Sequence, residues 1–212
     1  MPDERRRPTR DELESARNAV IADLLPEPLR LLVVGINPGL WTGATGAHFS
    51  RPGNRFHPAL AAAGITRSRI DNAAGYTAED LAHLHEIGLG ITNLVPRATA
   101  RADELGTEEL RAGAERLVRT VLEHSPAAVA VAGITAYRTA FGDRSARTGR
   151  QPTWPSRARQ IAGDRAPQLE RIPLFVVPNP SGLNAHATID TLARDYREAA
   201  DAAGMEQFAP SR

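Results

Sequence analysis

The chain has 212 residues, 42% hydrophobic and 24% charged, which is enough for one α/β domain with a full core and short for two. It contains no cysteine and no lysine, which excludes disulfides, iron–sulfur clusters, thiolate zinc sites and a lysine Schiff base. The net charge of +1 gives no argument for a nucleic-acid partner, the six histidines lack carboxylate partners at metal-ligand spacing, and no run approaches the roughly 18 apolar residues of a membrane span.

Residues 1–8 read as a frayed, arginine-bearing tail without the apolar stretch of a secretory signal, so a cytoplasmic protein is expected. Thr9 and Glu12 form a capping box that opens a helix with Leu13, Ala16, Val20, Ile21 and Leu24 on one face, stopped by Pro26 and Pro28. This N-terminal piece, 1–29, precedes a single domain over 30–204 and a short tail, 205–212.

Leu31-Leu32-Val33-Val34 reads as a strand buried on both faces. Polarity then breaks at Gly35-Ile36-Asn37-Pro38-Gly39. Pro38 fixes its own φ and pushes Asn37 out of the helical region, while Gly35 and Gly39 allow close backbone approach. A rigid loop at the carboxyl end of a central strand is where open α/β sheets bind ligands. There a fixed carboxamide holds a water through its oxygen and donates through its nitrogen; the alternative is an Asn that merely satisfies turn backbone.

Trp41 to Arg55 reads as a long loop, a length that usually signals function, with Phe49 in its middle as either a core plug or a stacking surface. Short helices are expected over 56–63 and 78–87. Leu89 to Val95 is a second buried strand, placing Asn93 near its carboxyl end and toward the same crevice as Asn37. Arg97 and Arg101 beyond it are solvated charges or phosphate contacts. Thr107 to His124 is an amphipathic helix with Leu110, Ala114, Leu117, Val118, Val121 and Leu122 on one stripe. Ala127 to Gly133 is a third strand, followed by a helix over 134–141. Residues 142–171, with Arg144, Arg147, Arg150, Arg157, Arg159, Arg165 and Arg171, read as an extended loop that either tracks a phosphate backbone or lies in solvent. The last strand, Ile172 to Val177, runs into Pro178-Asn179-Pro180-Ser181-Gly182-Leu183-Asn184. A final helix starts near Thr188 with Ile189, Leu192, Ala193 and Tyr196 inward, and Gly204 lies past its end.

Strands alternating with helices predict an α/β fold with a mostly parallel sheet of about four strands. That topology can bring both Asn-Pro loops to one edge of the sheet. Leu183, an apolar tip on a polar turn, then suits a wedge that fills the gap left by an extruded base.

Gly35-Ile36-Asn37-Pro38-Gly39, Pro52-Gly53-Asn54-Arg55-Phe56, Gly90-Ile91-Thr92-Asn93-Leu94-Val95 and Asn179-Pro180-Ser181-Gly182-Leu183 together resemble the mismatch-specific uracil-DNA glycosylase and thymine-DNA glycosylase family, over roughly residues 30–203. The resemblance implies a three-layer α/β/α fold and a monofunctional enzyme that flips uracil or a related base from DNA and hydrolyses its glycosidic bond, without cofactor or metal. It also implies that Asn37 positions the attacking water. The base pocket would be formed by Gly35, Ile36, Pro38, Gly39, Thr42, Phe49, Asn54, Arg55 and Asn93, with backbone N–H groups near Ile36 and Phe49 on the pyrimidine and the Phe49 ring stacked on it. Asn179, Pro180, Ser181, Gly182, Leu183, Asn184 and His186 would supply the wedge and backbone contacts. The implied partner is double-stranded DNA carrying a uracil or mismatched base, with single-stranded DNA as a further candidate, bound by a monomer and away from membranes.

The chain departs from the family pattern at Ala185, where the best-known bacterial member has an arginine, with Asn184 or His186 as candidate replacements. It departs again at Asn93, where that member has a lysine. A carboxamide there can read uracil and broaden activity beyond G·U pairs, or it can be a buried Asn bonded to backbone. Two other classes remain: an acyl hydrolase using Ser181 with His186 and Asp190, although no Gly-x-Ser-x-Gly elbow is present, and a non-catalytic nucleotide-binding module, although no G-x-G-x-x-G follows the first strand.

Overall fold

The structure, a computed structural model, describes residues 6–182, 184 and 187–209. Five strands form the sheet: β1 (Leu31–Gly35), β2 (Leu89–Asn93), β3 (Ala128–Ala132), β4 (Gly149–Arg150) and β5 (Leu174–Val177). Their spatial order is β2-β1-β3-β5-β4, parallel throughout except for β4, which pairs antiparallel with β5 at the edge. The sequence predicts about four strands; the fifth spans two residues, too short to leave a periodic pattern.

Helices α1 (Arg10–Ser15), α2 (Leu40–Thr45), α3 (Phe56–Ala62), α4 (Ala78–Glu86), α5 (Thr107–His124), α6 (Ile134–Phe141), α7 (Ser156–Ala162), α8 (Ala166–Glu170) and α9 (Ile189–Ala202) fill the connections. Every residue of β1, β2 and β3 is buried, as strands covered on both faces require. Side chains alternate between the two faces. Leu32, Val34, Val129, Val131, Leu174 and Val176 pack against α5, α6, α7 and α8. Leu31, Val33, Ala128, Ala130, Phe175 and Val177 pack against α3 and α9 on the other side. The result is the three-layer arrangement that the sequence implies.

Four expectations need correction. The first helix stops at Ser15, and Asn18 turns the chain at φ 64°. Residues 18–24 then run alongside β2: Asn18 N donates to Ala98 O, Ala98 N to Ala19 O, and Leu24 and Ile91 exchange both backbone bonds at 2.9 and 2.8 Å. The outer side of β2 offers unpaired backbone groups, and pairing them outcompetes continuation of the helix. Val20 is left exposed rather than on a buried stripe.

Second, residues 41–55 are not all loop, because α2 occupies the first part and ends at Gly46 in the left-handed region, φ 70°. Third, residues 142–171 hold β4, α7 and α8 rather than an extended loop. Trp154 is buried there and donates Nε1 to Ile172 O at 2.8 Å, and Ala158, Ala162 and Leu169 join the core under α5. Finally, Ile189 is exposed at the first turn of α9, whereas Leu192, Ala193 and Tyr196 are buried as expected.

Candidate active site

Because β1, β2, β3 and β5 are parallel, the loops that follow them open on one edge of the sheet. The early and late Asn-Pro loops approach each other at Gly133, where a Cβ would lie 3.0 Å from Ile36 Cδ1 and 4.0 Å from Asn179 Cβ, and the late loop is tied to residues 53–55. Arg55 N donates to Pro180 O at 2.9 Å, and Arg55 Nη1 reaches Asn184 O at 2.8 Å and Ser181 O at 3.4 Å. A Cβ on Gly182 would lie 2.7 Å from Gly53 O, so this approach requires glycine. The late turn is laced internally: Asn179 Oδ1 accepts from Ser181 N at 3.0 Å, and Asn184 Nδ2 donates to Asn179 O at 3.0 Å. Leu183, expected as the wedge, and His186, together with Ala185, lie outside the described residues.

The backbone around Asn37 is zipped to the chain beyond β2. Leu94 N donates to Gly35 O, Val95 N to Ile36 O and Thr99 N to Pro38 O, at 2.9, 2.9 and 3.1 Å. Asn37 Nδ2 donates to Thr99 Oγ1 at 2.7 Å, Pro38 O at 3.0 Å and Arg97 O at 3.2 Å. Two of these acceptors are carbonyls, which cannot donate, so they fix which end of the carboxamide is nitrogen. Thr99 Oγ1 spends its own proton on Arg101 O at 2.8 Å, leaving a lone pair for Asn37. Asn37 is half-buried, and its Oδ1 accepts no hydrogen bond from the described residues.

Beside it, Gly35 meets Asn93 and Phe49. A Cβ on Gly35 would overlap Asn93 Oδ1 and lie 3.2 Å from Phe49 Cζ, so the missing side chain is what admits both groups over the strand end. Asn93 is 6% exposed, yet its carboxamide makes no hydrogen bond among the described residues. Its backbone carbonyl is capped by Arg116, whose guanidinium also binds Asp23 Oδ2 and Thr92 Oγ1, each at 2.9 Å. Neither carboxamide atom is fully buried, so both stay open to water or to a ligand at the strand end.

Phe49 sits at φ 56°, uncommon for an aromatic residue. Its ring lies 4.1 Å from that of Phe56, while the ring tip faces Gly35. It therefore both packs on the core and lines the site. The backbone N–H groups of Ile36 and Phe49 have no partner among the described residues.

The other sequence candidates make contacts within the fold. Ile36 packs over Gly133, Thr42 Oγ1 lies 3.5 Å from Ser50 Oγ inside the domain, and Gly39 caps the start of α2. Asn54 Oδ1 accepts from Phe56 N at 2.9 Å, starting α3, and Arg55 is the strap described above. Arg97 forks onto Glu109 at 2.6 and 3.0 Å, holding that carboxyl down at about 2, and Arg101 pairs with Asp103. Both arginines are thus committed to partners within the fold.

Sequence reasoning missed Thr99, Arg116 and a buried group around His48. Burial lowers the His48 ring below its ordinary value and brings His57 down to about 4, so both are neutral at pH 7. Only the sheet topology could have placed Thr99 against Asn37. Among the described residues, no group of His, Cys, Asp and Glu is arranged to hold a metal ion, and no helix is long and apolar enough to cross a membrane.

A clamped carboxamide with a free oxygen, an unpaired carboxamide and an aromatic ring share this edge. The family model of the uracil DNA glycosylase superfamily matches residues 22–201, from the segment beside β2 to the end of α9. By that match the chain belongs to the uracil DNA glycosylase superfamily, whose members are DNA glycosylases.

Proposed function

We propose that this protein is a monofunctional glycosylase of the mismatch-specific uracil and thymine type, which releases uracil or a related pyrimidine flipped out of duplex DNA. The single observation that carries the reading is the Asn37 carboxamide, with its nitrogen bonded three times to the fold and its oxygen free. Such an oxygen accepts a hydrogen bond from a water and aims it, with almost no freedom left in the side chain to lose. Asn37 does not need to remove a proton early, because the sugar in an oxocarbenium-like transition state is already cationic.

The base slides against Phe49 with its edge toward Asn93, whose amide can both donate and accept. The free N–H groups of Ile36 and Phe49 meet the carbonyl oxygens where negative charge grows as the base departs. Asn93 extends reading to uracil outside G·U pairs. Leu183 fills the vacated stack, with the late turn against the opposing strand.

Single-turnover base release from duplexes with uracil opposite guanine or adenine, and from single strands, tests this. Asn37→Ala should reduce release by about 10²–10³-fold with duplex affinity kept, a loss comparable to that of a fixed transition-state contact. Undiminished release would assign the water to another residue. Asn93→Ala should lose most on A·U and single-stranded uracil, and equal rates on all three substrates would remove Asn93 from recognition.

A further inference from the structure

Three side chains with no task in this reaction converge on one backbone atom. The His48 carbonyl oxygen accepts from Asn72 Nδ2 at 2.7 Å and from the Tyr76 hydroxyl at 3.2 Å; His57 Nε2, 3.4 Å from that oxygen, lies closer to Tyr76 Oη, at 3.1 Å. With the Tyr76 proton on the His48 carbonyl, His57 Nε2–H donates to Tyr76 Oη, and the buried His57 Nδ1 has no partner. Asn72 and His57 are buried and Tyr76 is half-buried. A peptide oxygen has two lone pairs, and here both are met by interior side chains, with His57 backing the Tyr76 hydroxyl.

The other end of that peptide is the Phe49 N–H, which has no partner among the described residues. Phe49 is held in the left-handed region at φ 56° beside the ring contact with Gly35. Such a conformation persists only where the surroundings over-determine it, and it turns this N–H away from local backbone partners. Peptide resonance links the two ends: density drawn onto oxygen by donors makes the N–H a stronger donor.

We propose that Asn72 and Tyr76, the latter backed by His57, polarise the His48–Phe49 peptide so that the Phe49 N–H stabilises the charge that develops on the departing base. The inference rests on the glycosylase reading above. In that reaction the water oxygen bonds to the anomeric carbon while the glycosidic bond breaks with its electron pair on the base nitrogen. The proton lost by the water ends on the base. The three side chains touch neither water nor base; they are positioning residues that act through one amide.

The leaving group provides the test. Duplexes carrying uracil or 5-fluorouracil are compared, because the fluorinated base leaves as a more stable anion and needs less help. Tyr76→Phe, which removes one hydroxyl, should slow single-turnover release of uracil about fivefold and of 5-fluorouracil less than twofold, at unchanged duplex affinity. Asn72→Ala removes a different donor to the same oxygen and should show the same selectivity, which keeps the test alive if one variant fails to fold. Equal losses on both bases, or no loss on either, overturn the relay while leaving the glycosylase intact. A wild-type protein that releases neither base overturns both.

Discussion

Residues 35–56 and residues 142–171 resemble one another as sequence, both interrupted by glycine and proline and both carrying polar side chains suited to DNA. In the first, the fold holds polar groups in place and leaves them unspent: Asn37 Oδ1 and the Ile36 and Phe49 N–H groups lack partners among the described residues. In the second, much of the polarity is consumed. Arg157 pairs with Glu115 at 3.0 Å, Arg159 with Glu170 at 3.5 Å, and the Trp154 N–H is capped by Ile172. Charge density is therefore a poor guide to a binding site; hydrogen-bonding capacity held rigid and unsatisfied is a better one.

The sharpest separation of the two regions comes from Trp154→Ala, which empties a large site in the core and should lower stability by about 3–5 kcal/mol in urea unfolding, leaving the release rate of the folded fraction unchanged. A lower rate per folded molecule would tie the second region to the chemistry. Acid should act just beyond the first region, at His57. His57 resists protonation until about 4, whereas in the unfolded chain it takes a proton near 6.5. The unfolded state then binds more protons, so stability is full above about 6.5 and falls by roughly 3 kcal/mol by pH 4. Glu109, held down at about 2, adds its loss only below about 4.5. Urea midpoints that do not move between pH 7 and 4.5 would contradict the burial of this ring.

Thr99→Val removes the shortest contact to Asn37 Nδ2 without changing side-chain volume. Release should slow about tenfold with stability nearly kept, the reverse of Trp154→Ala. The smallest effect belongs to Arg147, exposed and without an ion pair among the described residues. The chain enters β4 beside the carboxyl end of β5, which brings Arg147 toward the late turn. Arg147→Ala should weaken all duplexes alike and reduce the salt dependence of binding by about one ion, with release unaffected. An unchanged salt slope would place it off the duplex.

The central strands, the long α5 helix and the two Asn-Pro loops were legible because each is a local signal: an aliphatic run, a 3.6-residue stripe, or a proline beside glycine. The shortness of α1 was not, because its cause lies far along the chain, at Ile91 and Ala98 on the outer side of β2. Nor was the structure inside 142–171, where alanines too small to make a stripe carry the packing of α7. At the site, Asn37 and Phe49 stood out in the sequence, whereas Thr99 and the donors on His48 are ordinary residues given meaning only by the fold. Asn54 and Arg55 stood out as well, and what the structure shows them doing is joining pieces of backbone.

The Arg55 strap bears on any effort to transplant specificity between relatives. The late turn hangs from Arg55 by its backbone carbonyls, and Gly182 rests on the Gly53 carbonyl with no room for a methyl group. A cassette carrying only residues 179–184 from another enzyme would arrive without its moorings. The two stretches must be exchanged together, and a chimera that ignores this should read out as a misplaced turn rather than as a new preference.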